Sequence, residues 1–171
     1  MATLALGWAV GRGSTVVDSW FGHHTRTVLG DQPRWLLAFT SDGLVLAVSL
    51  ACLAVALYRR QWALAVAVLA CPVAVTMVNA GLKQVFDRRN GPYLEYPSGH
   101  TALVVAVLGM MVVVTVGEVA RRWALTVAAG MSLLGMLGLV ACGYHFVTDT
   151  VGAAMLASAM VCGTARLTSA L

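Results

Sequence analysis

Residues 93–114 read YLEYPSGHTALVVAVLGMMVVV, a polar turn followed at once by a long apolar run. The run resembles a membrane-spanning helix, which needs roughly 20 predominantly apolar residues. His100, at the start of the run, is an unusual anchor, because Trp, Tyr, Lys and Arg normally occupy the membrane surface. The histidine therefore calls for an explanation beyond anchoring.

The composition of the whole chain indicates an integral membrane protein. Of its 171 residues, 60% are hydrophobic and 11% are charged, and the mean hydropathy is +0.84. An average soluble domain carries about 25% charged residues. No basic stripe with interleaved aromatic residues accompanies the formal net charge of +4, so nucleic acid is not an expected partner. We expect a single domain over 1–171.

Five apolar segments have approximately the length that a bilayer requires. Short polar stretches separate them, which favours an all-α, antiparallel bundle of transmembrane helices. Small residues in the fourth segment, Gly130, Gly135 and Gly138 among them, would let helices approach closely. The predicted spans are 36–58, 62–82, 100–118, 123–143 and 148–168.

The N-terminal region contains two further stretches of interest. Residues 1–10, MATLALGWAV, would either begin a short first span ending near Asp18 or lie at the membrane interface. Residues 16–35, VVDSWFGHHTRTVLGDQPRW, have apolar side chains at helical spacing, which predicts an interfacial amphipathic helix. His23 and His24 are interpreted as solvated residues of that helix.

The positions of Lys and Arg predict the orientation of the spans. The arginine pairs at 59–60 and 121–122, together with Arg166, follow alternate spans. They should therefore share one face, which the positive-inside rule makes cytoplasmic. Loops 83–100 and 143–149 would then share the external face. The cations retained in the first of these loops run against the rule and indicate a binding site.

The first external loop contains groups suited to binding phosphate. Lys83, Arg88 and Arg89 supply permanent positive charge. Ser98 offers a hydroxyl group, and Gly99 allows close backbone approach at the positively polarised start of a helix. The loop is predicted to bind a phosphate anion.

The second external loop adds groups suited to covalent catalysis. His145 and Asp149 are four residues apart, so on a helix they lie on one face, where the carboxylate can orient the imidazole. With His100 across a bound phosphate, one histidine can attack phosphorus while the other protonates the leaving oxygen. The cations would stabilise the transferring group, so neither a metal nor another cofactor is expected.

These motifs, in this order, resemble the type 2 phosphatidic acid phosphatases, integral membrane lipid phosphatases related in fold to vanadium haloperoxidases. The family signatures are K-x6-R-P, P-S-G-H and S-R-x5-H-x3-D. Residues 97–100 match the second signature completely, and residues 145–149 match the end of the third. The likeness extends over approximately residues 18–165.

The chain departs from two of these signatures. The first begins at Lys83, but Asn90 and Gly91 hold its arginine and proline positions. In the third, Gly138 and Leu139 replace the Ser-Arg pair, so the phosphate-binding arginine of that motif is absent.

The resemblance implies a role for each matching residue and a fold of six helices. His145 would be the nucleophile that forms a phosphohistidine, Asp149 would orient it, and His100 would be the general acid. The phosphate would be held by Lys83, Arg88, Ser98 and Gly99, with Arg89 as a further cation.

The sequence therefore predicts a lipid phosphatase of the plasma membrane, with its site on the external or periplasmic side. Family members act on phosphatidic acid, phosphatidylglycerol phosphate or polyprenyl phosphates and diphosphates, some of them in cell-wall synthesis. The expected partners are a lipid phosphate and membrane lipids, and no feature indicates an oligomeric state. Two alternatives remain: a catalytically degenerate member that binds a lipid phosphate, and a transporter with an ion site near Asp42 or Asn79.

Overall fold

The computed structural model describes residues 2–30, 32–90 and 92–169, and these form helices with one small hairpin. Gly91, the residue at the proline position of the first signature, lies outside this part, as do Met1 and Asp31. The elements are α1 (Ala2–Val10), α2 (Val16–Leu29), a 3₁₀ helix (Arg34–Thr40), α3 (Asp42–Tyr58), α4 (Trp62–Phe86), β1 (Arg89–Asn90), β2 (Tyr93–Leu94), α5 (Gly99–Val114), α6 (Glu118–Ala141) and α7 (Val147–Ser169).

The all-α class is confirmed, whereas the number of spans is only partly so. Within the described residues, four helical segments are long and apolar enough to cross a membrane: Arg34–Tyr58, α4, α6 and α7. Helix α5 has 16 residues, and a helix of that length rises only about 24 Å, against a hydrocarbon core of about 30 Å. The predicted count of five or six spans is therefore not confirmed.

The N-terminal stretch forms a short helix instead of a span. Helix α1 has nine residues, which corresponds to a rise of about 14 Å. It ends before Gly11, whose positive φ of 64° turns the chain away from the helical path. Helix α1 packs against α7, so it belongs to the bundle even though it is too short to cross a membrane.

Helix α2 forms within the stretch predicted to be an interfacial helix. Thr15 and Asp18 form a reciprocal capping box at its start. One face packs against α6 and α7, while Val16, Trp20 and Val28 remain exposed on the other. The two buried residues of α2, Asp18 and Thr25, are both polar, and Asp18 is also charged.

Helix α5 forms the centre of the bundle and packs against α3, α4, α6 and α7. It is apolar around its circumference, as expected of a helix enclosed by others. Small buried residues such as Ala102 and Ala106 let its neighbours approach. Its first turn carries Ser98, Gly99 and His100, so this turn is held by the most enclosed helix of the fold.

Close helix approach is confirmed at two of the three predicted glycines. A Cβ atom at Gly138 would lie 2.7 Å from the Cβ of Leu36, and one at Gly135 would lie 2.7 Å from Cγ2 of Thr40. The 3₁₀ helix thus rests directly on the backbone of α6. A Cβ atom at Gly130 would have no described neighbour within 4 Å, so no close helix approach occurs at this glycine among the described residues.

The arginines predicted to share one face do lie at one end of the bundle. The Arg59 guanidinium donates a hydrogen bond to the Val114 carbonyl at the end of α5 (3.2 Å). At the same end, Trp62, Arg121 and Ala165 line one pocket. The loops with the predicted site residues therefore meet at the opposite end.

Candidate active site

A buried arginine organises the site end of the bundle. Arg88 is completely buried, and its guanidinium lies between Asp18 and Asp149, at 2.6 Å from each carboxylate. Its Nε and Nη2 atoms also donate to the Gly13 carbonyl, at 3.1 Å and 2.9 Å. Phe146 covers the guanidinium face, with Cζ 4.8 Å from the ring centroid. These contacts join α2, α7 and the loop after α4.

The expected phosphate-binding role of Arg88 does not fit this geometry. The side chain has no exposed surface, and each of its three nitrogen atoms donates to a protein oxygen. A phosphate could reach Arg88 only by displacing a buried carboxylate. Arg88 therefore has a structural role here, in which two carboxylates balance one guanidinium.

Asp18 is held as a carboxylate by its surroundings. Burial alone would raise its pKa, but hydrogen bonds from the amides and hydroxyls of Thr15 and Thr148 outweigh burial and lower the pKa below the ordinary value. One oxygen accepts from Thr15 and Arg88, and the other accepts from Thr148. Asp18 is therefore ionised at neutral pH and satisfied within the protein.

His145 has a different carboxylate partner from the one expected. Its Nδ1 atom contacts Oε2 of Glu95, and the two side chains are only 9% and 6% exposed. Neither atom has another hydrogen-bond partner among the described residues. Asp149, the expected partner, instead accepts from Arg88 and from the Phe146 amide (3.0 Å). His145 precedes α7 and Asp149 lies in its first turn, so the assumed helical spacing does not apply.

The two histidines predicted to flank the phosphate do face each other. The ring centroids of His100 and His145 are 6.4 Å apart. His100 is exposed at the start of α5, whereas His145 is largely covered. An atom placed between the rings can lie within about 3 Å of both, which is the spacing that a reacting group requires.

The turn at residues 97–99 is hydrogen-bonded to α4 and α7 next to the site. Ser98 caps α5 and is buried, with its hydroxyl accepting from the Thr101 amide (3.4 Å). Its own amide donates to the Asp149 carbonyl (3.1 Å), which ties the start of α5 to α7. Asn79 holds the Pro97 carbonyl from α4 (3.2 Å). Gly99 is only partly covered, so its backbone remains accessible to a ligand.

Tyr96 anchors the same turn to α1. Its hydroxyl donates to the Thr3 carbonyl (2.5 Å), and its ring packs edge-on against Phe86. Burial, together with the negative charge of Asp149, raises the pKa of Tyr96 to about 12. Tyr96 is therefore a neutral hydrogen-bond donor at physiological pH.

The remaining predicted cations lie at the edges of the site. Lys83 donates to the Leu94 carbonyl (2.7 Å) and is partly buried, which still leaves it donors for an anion. Arg89 is exposed and pairs with Asp87 (2.9 Å). The structure thus brings Lys83 to the site and leaves Arg89 at the surface.

A polar cleft of about 380 Å³ opens beside His145 on the side of α2. We call it the α2 cleft. Four titratable or cationic side chains line it, namely Asp18, His23, Arg26 and His145. The Asp18 oxygens already accept from Thr15, Arg88 and Thr148. Asn90, the residue at the arginine position of the first signature, also contributes to its wall. His24, by contrast, stacks on Trp20 outside the cleft.

Asp18, Arg26 and Glu95 were not predicted as site residues. Glu95 had a usable signal, because it is a lone carboxylate within the turn that leads to His100. Asp18 completes a T-x-x-D capping pattern with Thr15, and that local role hides the ion pair formed across the bundle. Arg26 has no local signal, since its place in the cleft depends on how α2 packs.

Glu95, His145 and Asp149 also bring potential metal-ligand atoms within 4.8 Å of one another. Asp149, however, is already occupied by Arg88 and the Phe146 amide. A cation would therefore have to compete with a buried guanidinium.

Long apolar helices around a polar, histidine-containing site at one end define a multi-pass membrane protein. The chain belongs to the PAP2 superfamily, whose sequence profile matches residues 79–171, more than half of its length. The family resemblance is thereby confirmed for the region that contains His100 and His145. No curated protein sequence matches the chain.

The fold is similar to that of a solved membrane protein. The crystal structure of a PAP2-type phosphatidylglycerolphosphate phosphatase from Bacillus subtilis superimposes with a TM-score of 0.82 at 19% identity, covering 99% of this chain and 94% of the other. The shared fold thus includes the N-terminal region outside the matched profile.

Proposed function

We propose that the protein is a membrane-embedded lipid phosphatase that works through a phosphohistidine at His145. The observation that carries the proposal is the set Glu95, His145 and His100. A buried carboxylate contacts one nitrogen of the nucleophilic ring, and a second histidine lies across a gap of 6.4 Å between ring centroids. Membership of the PAP2 superfamily supports the same reaction class.

The first step transfers the phosphoryl group to the protein. With Nδ1 against Glu95, the Nε2 lone pair of His145 attacks phosphorus, and the bond between phosphorus and the lipid oxygen breaks. His100 donates its proton to that oxygen, so the lipid leaves as an alcohol or a shorter phosphate. Negative charge on the transferring oxygens is stabilised by the amide of Gly99 and by Lys83.

The second step regenerates the protein. His100, now neutral, removes a proton from water as the water oxygen attacks phosphorus. The bond between phosphorus and Nε2 of His145 breaks, and orthophosphate leaves. Glu95 stabilises the positive charge that the His145 ring gains during transfer, because the two side chains share a nearly water-free contact.

The substrate that suits this site is a phosphomonoester or diphosphate of a lipid. The site lies at the end of an apolar bundle beside α2, whose exposed Trp20 is typical of a membrane interface. The lipid chain would stay in the bilayer while its phosphate enters between the histidines. Polyprenyl phosphates, phosphatidic acid and phosphatidylglycerol phosphate all satisfy this description. We propose, from the positive-inside rule, that the site faces the external side of the plasma membrane.

Phosphate release by the purified protein in detergent tests the proposal. The panel contains phosphatidic acid, phosphatidylglycerol phosphate, a polyprenyl diphosphate and a polyprenyl sugar phosphate, each with and without EDTA. We expect release from at least one lipid, unchanged by EDTA because protein cations supply the charge stabilisation. Loss of release with EDTA would instead assign a metal to Glu95, His145 and Asp149.

The catalytically degenerate alternative makes the opposite prediction. It is favoured by Asn90 and Leu139, which stand at arginine positions of the signatures, and by the enclosure of Arg88. Binding of a lipid phosphate without release from any member of the panel would establish it.

Glu95→Gln is expected to lower kcat by roughly 10²- to 10⁴-fold with a smaller change in KM. The amide keeps the shape of the side chain, but it neither stabilises a positively charged His145 ring nor fixes the reactive tautomer. Glu118→Gln is the matched control, since Glu118 is 70% exposed in a surface pair with Arg122. If Glu95→Gln retained the kcat of the wild type, the orienting role would return to Asp149.

A further inference from the structure

We propose that Arg26, in the last turn of α2, is the guanidinium that binds the substrate phosphate in this protein. The inference rests on the proposed phosphatase function and adds a residue to the same site. It explains how a chain without arginine at positions 90 and 139 can still hold a phosphate beside His145.

Arg26 and His145 line the same cleft. The α2 cleft has a volume of about 380 Å³ and a mostly polar wall, which suits an anion better than a lipid chain. Arg26 lines it from α2, and His145 lines it from the loop before α7. A guanidinium there can donate two parallel hydrogen bonds to phosphate oxygens.

The other cations near the site do not line the α2 cleft. Arg88 is enclosed by two carboxylates, and Arg89 pairs with Asp87 at the surface. Lys83 lies on the side of Leu94 and does not line the α2 cleft. Among the described residues, Arg26 is therefore the arginine that faces this cleft, and no described carboxylate pairs with it.

The backbone beside His145 leaves space for the Arg26 side chain. Gly143 has a positive φ of 75°, and a Cβ atom built on it would lie 2.9 Å from Nη2 of Arg26. Any other residue would meet both a strained backbone and the guanidinium. The Arg26 side chain thus packs against the backbone at Gly143, two residues before His145.

The cleft also borders the chain positions of the signature arginines. Asn90 lies in its wall and Val140 lines it next to Leu139, which is itself buried. An arginine at position 90 would reach the cleft from the β1 side, whereas Arg26 reaches it from α2. Arg26 would therefore supply from α2 the positive charge that an arginine at position 90 would supply from β1.

The test compares phosphate binding and turnover in Arg26→Gln, in the double variant Arg26→Gln/Asn90→Arg, and in the wild type. Binding is measured as protection of the detergent-solubilised protein against thermal unfolding by inorganic phosphate and by orthovanadate, neither of which requires turnover. We expect Arg26→Gln to raise the phosphate concentration for half-protection by about 10- to 100-fold. The same substitution should raise KM for the lipid more than it lowers kcat.

The double variant separates a binding role from a structural one. A guanidinium supplied from position 90 should restore at least part of the lost protection, whereas a purely structural Arg26 would not be replaced in this way. Arg34→Ala is the matched control, because Arg34 is exposed and bonded only to Gln32 among the described residues. It should match the wild type in both measurements.

Three results would overturn the inference: an Arg26→Gln variant protected by phosphate as well as the wild type, a wild type that phosphate does not protect, or a double variant that regains none of the lost protection. Failure of the proposed function has a different signature. In that case phosphate would protect the wild type in an Arg26-dependent manner, yet no lipid of the panel would release phosphate.

Discussion

Replacing His145 with alanine is expected to abolish phosphate release, with kcat falling by about 10⁴- to 10⁶-fold, because the proposed nucleophile is lost. The fold should survive, since His145 lies in the loop before α7 and Glu95 is the only close polar contact of its side chain among the described residues. The measurement is release from the preferred lipid at saturating concentration. His24→Ala is the control, because His24 is exposed and stacked on Trp20 outside the α2 cleft.

The same experiment separates the two histidines by their roles. A general acid matters little when the leaving group is a stable phenolate, so His100→Ala should lose far less activity on an aryl phosphate than on an alkyl lipid phosphate. His145→Ala should lose both activities equally. Phosphate release by His145→Ala at the rate of the wild type would contradict the covalent mechanism.

Arg88→Met is expected to destabilise the protein by about 3–5 kcal/mol, because it leaves Asp18 and Asp149 buried without a counter-charge. The measurement is thermal or denaturant unfolding in detergent. Arg122→Met is the matched control. Its pair with Glu118 is exposed at 76% and 70%, and surface pairs contribute about 0–1 kcal/mol.

Removing all three buried charges should recover much of that loss. In Arg88→Met/Asp18→Asn/Asp149→Asn no unpaired charge remains, and such replacements are often neutral for stability. If Arg88→Met were instead as stable as the wild type and bound phosphate poorly, Arg88 would be a substrate ligand after all. Stability and phosphate protection, measured on the same samples, distinguish these outcomes.

The helical architecture was accessible from the sequence because it depends on local composition. Long apolar runs have to become helices in a bilayer, where every backbone group needs a partner within its own segment. The ends of the individual helices were harder to predict. The apolar run after Pro33 divides into a 3₁₀ helix and α3, and α1 stops at Gly11, since both depend on packing and turn geometry.

The loops that form the candidate site were predicted from the sequence, but the side-chain contacts within the site were predicted only in part. Order along the chain and span parity bring loops 83–100 and 143–149 together, and the His100–His145 pair follows from this. Which carboxylate contacts which base depends on side-chain positions in three dimensions. Glu95 takes the place expected for Asp149, and Asp149 is drawn to Arg88 because a buried guanidinium needs negative charge close by.

The three-way contact at Arg88 also has a consequence for biosynthesis. Its carboxylate partners come from opposite ends of the chain, 70 residues before it and 61 residues after it. During translation Asp18 and Arg88 can meet early, but Thr148 and Asp149 emerge only with the last helix. The contacts of Arg88 therefore cannot be completed until α7 has been made, and until then only one of its two carboxylate partners is present.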